Sequence, residues 1–259
     1  MFRSAVLLFA CAVLAAPAAA RAGSETDGVC GAPAEFATTD APLGQFASAI
    51  AAGGPVAVLA VGSATTVGSV SSSSGLPTTA PPGTSFPWLM VRALEAALPK
   101  VTFTLTVRGG RGMTAEDMLP LIEAALKEQH FPLVLWQTGT VEAVRGLRPD
   151  GVLDVLHAGA ERIREAGGDL VLIDPQFSRF LRANTDLDPY EGILQQVATM
   201  PGAALFHRFD LMRAWANDGR IDLEHTPKAD RDKALGELNR CLGKVLAQFV
   251  LSGVDVLKR

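Results

Sequence analysis

Five short apolar runs, spaced by stretches with helical periodicity, restrict this chain to one kind of architecture. The runs are Pro55 to Val61, Val101 to Val107, Phe131 to Trp136, Asp169 to Ile173 and Ala203 to Phe206. They are continuous rather than alternating, which is the pattern of strands covered on both faces. Helical patterns fill the intervals at about 86–98, 114–129, 151–167 and 189–200, and a long one near 228–250 closes the chain. Thr114, followed by Glu116 and Asp117, is a helix start with a capping hydroxyl and early acidic residues. Strand and helix alternating in this way predict an α/β, doubly wound three-layer sandwich around a five-stranded, mostly parallel sheet. In such a sheet a ligand site belongs at the carboxyl ends of the strands.

The first residues have a different purpose. Arg3 precedes an apolar run from Ala5 to Ala16, and Ala18 to Ala22 (AAARA) follows, the layout of a secretory signal peptide over 1–22. The run is shorter than the ~20 residues of a bilayer span. Lipidation at Cys11 is disfavoured by the bulky Phe9 two residues before it. We expect residues 23–54 to form an N-terminal arm and 55–252 the folded domain, exported to the periplasm or the exterior, with no membrane span in the mature chain. Two cysteines remain after the leader, Cys30 and Cys241. In an oxidising compartment they are expected to pair and tie the arm to the last helix; two buried free thiols are the alternative. A net charge of −4 gives no basic face for nucleic acid. No C-x-x-C or histidine cluster suggests a metal, and no cofactor motif is present.

The stretch from Ser69 to Thr84 (SVSSSSGLPTTAPPGT) is too rich in Ser, Thr, Pro and Gly to pack as an element. It is either a long loop over the end of the first strand or a surface loop of no role. Chemistry is then sought after each strand. Gly62 to Gly68 (GSATTVG) follows the first, Arg108 to Thr114 (RGGRGMT) the second, and Gln137 to Glu142 (QTGTVE) the third. Asp222 to Pro227 (DLEHTP) precedes the last helix. An aspartate three residues before a histidine can fix the imidazole tautomer and support its charge as it takes a proton. Arg108 and Arg111 could favour an anionic substrate, although solvated loop arginines are the commoner case. His130, His157 and His207 stand singly, so structural roles are expected for each.

These four segments, in this order, resemble the SGNH hydrolases, also called GDSL-type esterases and lipases, over about Val56 to Phe249. The resemblance implies a flavodoxin-like strand winding and hydrolysis of carboxylic esters without a cofactor or metal. Asp222 and His225 match the family's D-x-x-H block. Gly112 matches the glycine whose N–H helps form the oxyanion hole. Gly139 to Glu142 stands where G-x-N-D belongs, and Ala143 to Gly146 continues in family style.

Two departures accompany the match. The oxyanion-hole asparagine becomes Val141, which has no donor, and losing one such donor commonly costs about 10²–10³ in rate. In the first block an ungapped alignment puts Ser63 on the family aspartate and Ala64 on the nucleophilic serine. A one-residue deletion instead makes Ser63 the nucleophile. Two functions follow. One is an exported hydrolase of acyl or acetyl esters, its substrate a small ester or an acylated glycan, with Ser63 attacking, His225 as base and Asp222 orienting it. The other is a degenerate relative that binds a glycan or acylated ligand without turnover.

Overall fold

The computed structural model describes residues 29–68 and 83–258. The expected signal peptide and nearly all of the Ser/Thr/Pro-rich stretch lie outside the described residues. Strands β1 (Pro55–Gly62), β2 (Thr102–Gly109), β3 (Leu133–Gln137), β4 (Asp169–Ile173) and β5 (Ala203–Phe206) form a sheet in the order β2-β1-β3-β4-β5. Every neighbouring pair is parallel. The order reverses between β1 and β3, which puts the crevice for a ligand at their carboxyl ends.

The helices are α1 (Gly44–Ala52), α2 (Ala64–Val67), α3 (Phe86–Ala97), α4 (Ala115–Glu128) and α5 (Thr140–Arg145). They continue with α6 (Pro149–Glu165), α7 (Arg179–Asn184), α8 (Asp188–Val197), α9 (Arg208–Asn217) and α10 (Arg231–Asp255). The strand period of two divides each apolar run between two cores. On one face Val58, Ala60, Leu133, Leu135, Val171 and Phe206 pack with Phe46 of α1, Met90 of α3, Trp215 of α9 and Val245 of α10. On the other, Leu59, Val61, Val134, Trp136 and Leu172 pack with Met118 of α4, Leu156 of α6 and Leu194 of α8. Three layers result, which is the architecture the alternation predicts.

The long α10 lies tightly on α3. A Cβ at Gly243 would stand 2.7 Å from both Leu89 Cβ and Met90 N, so only glycine permits this approach. Cys30 and Cys241 are joined by a disulfide that ties the first described turn to α10 across 211 residues of sequence. The segment read as an arm contains α1, and Leu43 and Phe46 within it are fully buried. Asp169, at the start of β4, accepts the Phe46 N–H at 2.9 Å. Burial pushes the Asp169 carboxyl up to about 6 against that bond and another from the Gln45 backbone. No helix among the described residues is long and apolar enough to cross a membrane.

Candidate active site

The carboxyl ends of β1 and β2 are pinned together. Gly62 O accepts the Gly110 N–H at 3.2 Å, and Gly109 takes a φ of 114° directly beside it. A Cβ at Gly109 would lie 2.1 Å from Gly62 O, so the pairing of these strand ends depends on glycine there. From this corner the chain turns through Ser63 into α2, whose first residue is Ala64.

Ser63 does not project freely into the crevice. Its Oγ lies 3.1 Å from Gln137 Nε2 and 3.3 Å from Gln137 Oε1. Gln137 ends β3, is almost completely buried, and also accepts the Thr66 hydroxyl at 2.7 Å and the Thr65 hydroxyl at 3.0 Å. One amide thus gathers three hydroxyls of the β1 turn. An amide oxygen is a hydrogen-bond acceptor but a very weak base, so this contact leaves the Ser63 proton in place.

After β3, Gly139 has a φ of 95° and caps α5. Val141 is half-buried on the first turn of that helix, and its side chain offers methyl groups and no hydrogen-bond donor. The next residue, Glu142, is fully buried without a cation. Its carboxylate accepts the Gly139 N–H at 2.8 Å, the Thr138 hydroxyl at 2.7 Å and the Ala115 N–H. It therefore stitches the amino ends of α4 and α5 together, where helix dipoles favour a negative charge. Gly112 sits in the turn just before α4 with a φ of 76°, and its carbonyl accepts a bond from Arg145 Nη2 at 2.8 Å. The predicted cap of α4 is present as a reciprocal Thr114–Asp117 pair.

Asp222 and His225 are brought together. His225 Nδ1 stands 2.7 Å from Asp222 Oδ2, and the His225 backbone N–H donates to Asp222 Oδ1 at 3.2 Å. Arg179 Nη1 adds a contact of 2.9 Å to the same carboxylate. Burial alone would raise Asp222, but the bonds from His225 and Arg179 outweigh it and hold the carboxyl below its ordinary value. The ring of His225 is 73% exposed, and among the described residues it bonds only Asp222. It borders an open surface cavity of about 810 Å³ shared with Arg179, Thr226 and Glu237. Ser63 and His225, the two ends of the expected proton path, share no hydrogen bond.

One cation at the carboxyl end of the sheet carries no motif in the sequence. Arg208, the first residue of α9, is 1% exposed, and its Nη1 donates to Thr65 Oγ1 at 3.3 Å. Its Nε and Nη2 are buried without a partner among the described residues. Burial pushes Arg208 down to about 10 against the attraction of Asp174. Asp174, just after β4, is itself pushed well above the usual carboxylate range by burial, despite the Phe209 N–H it accepts at 2.8 Å. Arg208 belongs to a short, weakly patterned helix, and nothing in the sequence around it separates it from a surface arginine. Of the arginines considered from sequence, Arg108 is paired with Glu128 at 3.2 Å. His130 is tied to Gly167 O at 2.9 Å, a structural contact. Among the described residues no three His, Cys, Asp or Glu side chains are grouped as metal ligands.

The family model of the non-GDSL lipase-like family matches residues 29–256. The chain belongs to that family. No curated protein matches the chain. Solved structures share the fold. LAE5, an alpha/beta hydrolase enzyme from the metagenome of Lake Arreo, Spain, is 18% identical with a TM-score of 0.53, over 73% of this chain and 96% of that one. A catalytic mutant of Axe2, an acetylxylan esterase from Geobacillus stearothermophilus, is 16% identical with a TM-score of 0.53, over 73% and 94%. AlinE4, an SGNH-hydrolase family esterase, is 23% identical with a TM-score of 0.51, over 71% and 93%. The fold expected from the sequence is the fold found.

Proposed function

We propose that this chain is an exported member of its family that holds a small carboxylic ester or acylated glycan at the carboxyl end of the sheet, without the acyl-enzyme chemistry of related hydrolases. The observation that carries this reading is the turn after β1. Ala64 opens α2 with no hydroxyl, and the adjacent Ser63 hydroxyl is engaged by an amide that cannot accept its proton. Val141 removes a donor from the opposite side of the crevice. Esters are the ligand class because the family is lipase-like and its structural neighbours include esterases. Export is supported by the 1–22 leader pattern and by a disulfide of the kind that persists in oxidising compartments.

A second reading is favoured by one observation, the joined Asp222–His225 pair with an exposed ring. Such a pair is a ready general base. In this reading Ser63 leaves Gln137, passes its proton to His225 Nε2, and attacks an acyl carbonyl whose oxyanion is held by the N–H groups of Ser63 and Gly112. Turnover of p-nitrophenyl acetate by the parent chain, Ser63→Ala and His225→Ala separates the two. The binding reading expects all three at the background rate. A parent rate that collapses in both variants would establish the hydrolase instead.

A further inference from the structure

Arg208 presents a problem in energetics that the reading of the cleft leaves unanswered. The guanidinium is buried, yet among the described residues its only bond is the one from Nη1 to Thr65. A buried donor without a partner is destabilising, and more so when the group is charged, so such an arrangement calls for a role. The two free nitrogens, Nε and Nη2, are not an arbitrary pair. They lie on one edge of the planar guanidinium, with their N–H bonds parallel, and that edge matches the two oxygens of a carboxylate or phosphate.

The position of the group is as specific as its chemistry. Arg208 follows β5, whereas Thr65 follows β1, and β3 and β4 stand between these strands. Three strand spacings separate the two ends by roughly 14 Å. A side chain that reaches from one toward the other therefore lays its head group over the carboxyl ends of β3 and β4. That is beside the reversal of strand order, where sheets of this winding receive ligands. Asp174 forms no ion pair with Arg208; its Oδ1 accepts the Phe209 N–H and its Oδ2 lies 3.8 Å from His207 Nδ1. Among the described residues, no acid forms an ion pair with this cation.

We propose that the Nε–Nη2 edge of Arg208 is a binding fork for a two-oxygen anion, a carboxylate or a phosphate carried by the ligand of this cleft. Thr65 fixes the rotation of the fork by holding Nη1. The fork gives the cleft a preference for anionic ligands over neutral ones of the same shape. It rests on the reading of the strand ends as a ligand site and is independent of whether Ser63 reacts.

The test is a titration of the disulfide-bonded protein followed by the NMR signal of the Arg208 Nε–H, identified by its loss in Arg208→Lys. Sodium acetate and inorganic phosphate are the two anionic probes, and acetamide is the neutral isostere of acetate. The fork predicts a saturable shift with acetate, with phosphate or with both, and none with acetamide; the stronger of the two anions names the ligand's head group. Calorimetry is expected to give at least tenfold weaker binding of that anion to a folded Arg208→Met. No saturable shift with either anion overturns the fork, as does binding that persists unchanged in Arg208→Met. Should Arg208→Lys fail to fold, the Nε–H is assigned in the parent by its through-space contacts with Thr65, so the parent titration still decides. Ester turnover at Ser63 would refute the non-hydrolytic reading and leave the fork intact, whereas a flat titration removes the fork alone.

Discussion

Ser63 and Gln137 face one another across the adjacent ends of β1 and β3, with the hydroxyl 3.1 Å from the amide nitrogen and 3.3 Å from the amide oxygen. The other two hydroxyls of the β1 turn converge on the same residue, because Thr65 and Thr66 donate to the same Gln137 oxygen. The turn after β1 is thus a hydrogen-bonded unit built around one amide.

Removing the hub should therefore be felt in stability. In Gln137→Leu the buried Thr66 hydroxyl loses its partner, and we expect a loss of about 1–3 kcal/mol. Urea unfolding should move its midpoint downward with an unchanged slope. A midpoint equal to that of the parent would mean that the three hydroxyls find other partners at no cost.

Asp169 gives the protein a pH dependence of definite sign. Its folded carboxyl is raised to about 6, so the native state binds the proton more tightly than the unfolded chain. Its contribution to stability is complete below an unfolded value of about 4 and is lost as pH rises through about 6. We expect the parent to lose up to about 3 kcal/mol from this group between those limits, and Asp169→Asn to flatten that part of the curve. Chemical denaturation at a series of pH values checks it; identical slopes for the two proteins would contradict it.

Much of the fold could be read in advance, and the reason lies in particular residues. Runs such as Asp169–Ile173 and Ala203–Phe206 are apolar on both faces and end at turns, so the strands fall where the runs do. Helices α5, α7 and α9 were missed because they are short or weakly patterned, and α1 was hidden in a segment read as an arm. The Asp222–His225 contact follows from local spacing alone. Gln137 and Arg208 were not legible as site residues, since their neighbours Ser63 and Thr65 lie 74 and 143 residues away in sequence. Only the sheet order brings them together.

The Cys30–Cys241 bridge closes nearly the whole domain into one covalent loop. Replacing both cysteines by serine should cost about 2–5 kcal/mol, measured by denaturant unfolding of the two proteins side by side. Non-reducing peptide mapping should recover the two cysteines in one linked species. Two alkylatable thiols in protein taken from the periplasm would refute the bridge.

The central claim is that the residue at the nucleophile's place is Ala64 and that Ser63 is not a substitute for it. A fluorophosphonate probe, with the adduct mapped by mass spectrometry, tests this on the parent chain and on Ala64→Ser together. The account predicts no adduct on the parent and a new adduct at position 64 in the variant. An adduct at Ser63 of the parent that disappears in Ser63→Ala would contradict it and make this chain a working serine hydrolase.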